Sequence, residues 1–74
     1  MTKTFILTAT PDGEFEMFTS LQVLPERPQD ALCELRDQTD WDDMHGDGTK
    51  RVEAIGVWVE GAIHMMSRAE AGVE

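Results

Sequence analysis

The sequence predicts an α+β domain, an antiparallel sheet of about four strands in the order ββαββ with one helix packed on a face. Three observations carry this. Two segments alternate apolar and polar residues about a Pro-Asp-Gly turn, and a proline-led segment carries helical spacing. A β-branched run is then joined to a further apolar run by a two-residue link. With 74 residues there is room for one core, so 1–74 reads as a single domain.

The first hairpin covers residues 3–21. Phe5, Leu7 and Ala9 alternate with Thr4, Ile6, Thr8 and Thr10, a period that suits a pleated strand rich in β-branched residues. In Thr10-Pro11-Asp12-Gly13 the proline presets φ, the aspartate bonds the backbone ahead and the glycine accepts a positive φ. Phe15, Met17, Thr19 and Leu21 then alternate with Glu14, Glu16, Phe18 and Ser20. The face carrying Phe5, Leu7, Phe15 and Met17 is the expected core face.

A connector through Pro25 leads to the expected helix, Pro28 to Gln38, with Ala31, Leu32 and Leu35 on one side. Proline fits the first turn because its missing N–H would be unpaired there. So short a helix draws its stability from packing on the sheet. Between Thr39 and Gly48 helix propensity fades and two glycines end regular structure. This segment reads as a loop with one helical turn at Asp40–Met44.

Residues 51–68 are expected to form a second hairpin turning at Glu60-Gly61. The composition of 62–68 suits a helix nearly as well, and the two-residue link decides for a strand. Simple alternation puts Val52, Ala54, Gly56 and Trp58 on one face, and Ile55, Val57 and Val59 on the other. Both faces are thus apolar, more than a one-sided sheet needs; a homodimer or partner surface would account for the surplus, and so would a helix and loop that wrap further round the sheet. The tail 69–74 is expected to fray.

Fifteen acidic side chains against six basic ones give a formal net charge of −9. That field repels nucleic-acid phosphates and anionic membranes and attracts basic surfaces. The single cysteine, Cys33, excludes an internal disulfide. No stretch approaches the roughly 20 apolar residues of a membrane span, and the opening residues lack a signal-peptide pattern. The expected location is the cytoplasm.

Candidates for chemistry are few. Cys33 lies within the expected helix, where a buried cysteine acts as a small hydrophobe. His45 and His64 are the only imidazoles, and neither a phosphate-binding loop nor a Cys-x-x-Cys pair occurs. Numbered as a calcium loop from Asp40, the fifth position is Met44 and the twelfth, where a glutamate is required, is Arg51. No catalytic residue, metal or cofactor is therefore expected.

The remaining candidate site is an acidic cluster. Glu34, Asp37, Asp40, Asp42, Asp43 and Asp47 fall in one segment with Arg36 as the sole cation, and Trp41 stands among them. Carboxylates along a helix end and loop can imitate a nucleic-acid backbone, and tryptophan is enriched at binding hot spots. The competing reading is a solvated loop whose tryptophan folds onto the core. The expected partner is the basic surface of a nucleic-acid-binding protein or complex, without direct contact to nucleic acid.

Short acidic α+β chains of this kind resemble phage-encoded anti-CRISPR proteins, several of which mimic DNA. The opening Met1-Thr-Lys-Thr-Phe-Ile-Leu-Thr-Ala-Thr-Pro-Asp-Gly-Glu-Phe-Glu is similar to the N-terminal hairpin of a type I-F inhibitor. The remainder departs from that pattern, and no site residue carries over. The resemblance implies an inhibitor acting in a host cytoplasm. The alternative expectation is an assembly module associating through an apolar sheet face.

Overall fold

The computed structural model describes residues 1–42 and 50–73. The elements are β1 (Thr2–Ala9), β2 (Phe15–Gln22), α1 (Pro28–Gln38), β3 (Arg51–Val59) and β4 (Ala62–Ser67). The strands form one antiparallel sheet ordered β2-β1-β3-β4, so each hairpin is local and the β1–β3 pairing joins them. The segment left between strand and helix by composition, 62–68, is a strand over Ala62–Ser67.

Both turns have the chemistry their residues suggest. In the first, the amide of Gly13 donates to the carbonyl of Thr10 at 2.9 Å and that of Thr10 to Glu14 at 2.9 Å, with φ 85° at Gly13. In the second, Glu60 and Gly61 have φ 52° and 79°, the two positive values of a type I′ hairpin turn.

Helix α1 begins with Pro28 after Arg27, which supplies no side-chain cap. At its other end the Thr39 hydroxyl donates to the Leu35 carbonyl at 2.6 Å, and the Trp41 indole N–H donates to that of Arg36 at 3.2 Å. Two of the orphan carbonyls of a helix end are thereby satisfied. Ala31, Leu32 and Leu35 are the buried helix residues, and they cluster with Trp41, Val52, Ile55 and Val57. Ile6, Val59 and Met66 pack against this cluster.

That cluster reverses the expected core face. The helix covers the side bearing Thr4, Ile6 and Thr8 rather than the side bearing Phe5, Leu7, Phe15 and Met17. The reason lies on β3, whose helix-facing side offers three β-branched residues, Val52, Ile55 and Val57, while the other offers the small Ala54 and Gly56 before Trp58 near the strand end. Thr4 and Thr8 are fully buried there. The Thr4 hydroxyl shares a 2.9 Å hydrogen bond with the hydroxyl of Ser20, and that of Thr8 donates to the Glu16 carbonyl at 3.5 Å.

The β3 alternation is also corrected. The β1–β3 register shifts between Leu7 and Thr8, where Leu7 pairs with Ala54 and Thr8 with Val52. Glu53 is the extra residue of a β-bulge, which moves Val52 onto the face of Ile55 and Val57.

The tail folds back instead of fraying over Ala69–Val73. The Ser67 hydroxyl accepts from the Glu70 amide at 3.2 Å, and the Glu70 carboxylate accepts from the Ser67 amide at 3.2 Å. These are the reciprocal bonds of a capping box. The turn closes with Val73 N–H to the Arg68 carbonyl (2.9 Å) and Gly72 N–H to that of Ala69 (3.1 Å), and Gly72 has φ 79°. That pattern is a Schellman closure, and it sets Ala71 and Val73 against the core.

Candidate protein-binding surfaces

The described residues of the acidic segment lie partly on α1 and partly beyond its end. Glu34 and Asp37 are exposed on α1, with the Asp37 carboxylate 3.3 Å from the Arg36 guanidinium. The Asp40 carboxylate accepts from the Asp42 amide at 3.3 Å, a local turn that ends the helical course. Backbone at Thr39 is extended, φ −87° and ψ 131°; of the turn expected at Asp40–Met44, Asp40–Asp42 carry no helix, and the rest lies outside the described residues. Asp43 and Asp47, like Met44 and His45, lie outside the described residues.

Trp41 is not at the surface. It is 6% exposed and sits in the core cluster, so its ring packs inward instead of facing a partner. Its carbonyl accepts the Val52 amide at 2.9 Å and one guanidinium nitrogen of Arg68 at 2.7 Å. Arg68, 7% exposed, also donates to the Val52 carbonyl at 3.0 Å and to the Asp42 carboxylate at 2.9 Å. A buried guanidinium is tolerable when its donors are engaged in this way. Asp42 is therefore part of the clasp that holds the segment after α1 onto β3.

Cys33, expected to be buried, is exposed. The buried stripe of α1 runs through Ala31, Leu32 and Leu35, and position 33 falls outside it at 3.6 residues per turn. Among the described residues no group of three or more His, Cys, Asp or Glu is arranged to hold a metal, and no helix is long and apolar enough to cross a membrane. Among the described residues an open groove at the start of α1 is lined by Arg27, Pro28, Gln29 and His64.

The second surface is the side of the sheet away from the helix. Paired residues share a face, so Lys3, Phe5, Leu7 and Ala9 of β1 stand with Leu21, Thr19, Met17 and Phe15 of β2. Gly56 and Trp58 of β3 join them beside Met65 and Ile63 of β4. Five large apolar side chains here are more than half exposed: Phe15 (64%), Met17 (61%), Leu21 (62%), Ile63 (51%) and Met65 (52%). At their centre the Phe5 ring occupies the space beside Gly56, where an added Cβ would come 2.0 Å from the ring. Phe5 meets Trp58 edge-on, with centroids 5.3 Å apart and an interplanar angle of 64°.

The alternation of Phe5, Leu7, Phe15 and Met17 that points to a core face makes this the apolar surface left open. The sequence signal for it was the apolar character of both β3 faces. No protein-family model, curated protein or solved structure matches the chain.

Proposed function

We propose that this chain is a protein-binding module, acting by association rather than catalysis, and that its contact surface is the uncovered face of the sheet. One observation carries the reading. In an antiparallel sheet with one solvated face the outward residues are polar, whereas here the outward face presents Phe15, Met17, Leu21, Ile63 and Met65. Contiguous exposed apolar area of this kind marks interaction sites on soluble proteins. Capture from a bacterial lysate, with wild type, Met17→Lys and Ile63→Lys as baits, tests it. The same captured species should persist from about 0.05 to about 0.5 M salt, because apolar contact is not screened, and should disappear with either variant. Undiminished capture by both variants defeats the reading.

A second reading keeps the acidic surface as the site of an inhibitor or decoy occupying the nucleic-acid-binding surface of a host defence or regulatory complex, as the anti-CRISPR resemblance implies. It is favoured by the outward side of α1, where Asp30, Glu34 and Asp37 are all exposed. Capture by this route should fall steeply with salt, be competed by DNA or RNA, and be lost in Glu34→Lys/Asp37→Lys. Those two positions leave the Arg68 clasp intact, which makes them a cleaner probe than Asp42.

A further inference from the structure

We propose that the occupant of the open sheet face is a second copy of this chain, packed face to face about a twofold axis that runs across the strands. This rests on the reading of that face as the contact surface and names what covers it. Charge distribution selects the partner. The molecule carries a formal net charge of −9, so two copies repel over most of their surfaces. The paired strand positions of the open face hold two cations, Lys3 and Arg51, and no Asp or Glu. The carboxylate of the bulge residue Glu53 is 3.1 Å from the Arg51 guanidinium. Two like-charged copies can therefore approach by this side without opposing carboxylates.

Area agrees with that occupant. Half-exposed side chains of this size offer on the order of 100 Å² each. The five therefore present roughly 500 Å², at the upper end for a monomer. Leu7, Trp58 and the strand ends bring this towards the ~800 Å² per partner of a stable interface. A twofold contact sets the same patch against itself, and an apolar patch is its own complement.

The axis follows from the ends of β1. Lys3 stands at one end, its ammonium 5.3 Å from the centre of the Trp58 ring, and the turn with the exposed Asp12 and Glu14 stands at the other. At about 3.3 Å per residue they are more than roughly 20 Å apart within one chain. An axis across the strands brings the Lys3 end of each copy to the acidic turn of the other, giving two symmetry-related ion pairs at the rim.

Sedimentation equilibrium of the full chain over a concentration series, at low and high salt, tests this. The expected result is a monomer–dimer equilibrium from 8.3 kDa to twice that mass, tighter at high salt as the net repulsion is screened. Met17→Lys and Ile63→Lys should each weaken dimerisation by about 100-fold or more, each placing a charge within the apolar patch. Far-UV circular dichroism checks that these exposed-site variants keep the fold. Lys3→Glu should weaken it by about 5-fold, and Asp12→Lys/Glu14→Lys added to it should restore it. A chain that stays monomeric at every concentration overturns the second copy. If Met17→Lys and Ile63→Lys still abolish capture from lysate, the face reading survives that loss, and if capture is undiminished by both, both readings fall. A dimer indifferent to Met17→Lys and Ile63→Lys also overturns the proposal, and absence of restoration by the charge swap overturns the axis.

Discussion

At the scale of single residues, Arg68 and Gly56 do what no pattern of apolar spacing announces. Arg68 ties two carbonyls and a carboxylate from three points of the chain. Arg68→Met keeps the aliphatic stem and removes the donors, and should cost about 2 kcal/mol in chemical denaturation, the scale of hydrogen bonds from a charged group. Asp42→Asn should cost no more than about 0.5 kcal/mol, since its carboxylate side is 80% exposed and solvent screens the pair. Gly56 lacks the Cβ that the Phe5 ring displaces. Gly56→Ala should tip the ring upward, cost about 1–3 kcal/mol as an overpacked site, and alter the near-UV circular dichroism of the Phe5–Trp58 pair.

At the scale of elements, the turn after β4 shows how a short segment is ordered without a helix of its own. Ser67 and Glu70 satisfy each other's amides, and Gly72 reverses the chain so that Val73 returns to the core. Ser67→Ala removes one of those acceptors and should cost about 1 kcal/mol. Amide exchange should then accelerate at Ala71, Gly72 and Val73 more than in β1. The Ser-x-x-Glu spacing and the following glycine stand in the sequence, whereas the expectation of fraying rests on the small and charged residues of 69–74 alone. The turn between β3 and β4 offers the opposite opportunity. Glu60 holds a positive φ that asparagine adopts more readily, so Glu60→Asn should raise stability by up to about 1 kcal/mol in thermal denaturation.

At the scale of the whole molecule, a chain of 74 residues with apolar residues on both faces of its sheet has more to bury than one helix covers. Binding that favours the folded state stabilises it by mass action. The melting temperature should therefore rise with protein concentration for wild type and stay flat for Met17→Lys. Added salt should raise it further by screening the net negative charge. Wild-type melting independent of concentration would count against association through this face.

The sequence by itself determined the element order, both turns and the bounds of α1, because these depend on neighbours in the chain. Proline and glycine set local φ, and a period of two or of 3.6 aligns side chains along one element. It determined the excess of acid, and that the sheet is apolar on both sides. Which side the helix covers was decided only by tertiary structure, since the β1 alternation is satisfied on either face. A one-residue bulge at Glu53 shifts Val52 across the sheet, and the choice falls to the bulky residues that β3 then presents. Tertiary structure likewise drew Trp41 and Asp42 out of the acidic segment and into a clasp around Arg68, a residue 26 positions beyond Asp42. Charge density along a chain says nothing about which carboxylates a distant arginine will claim.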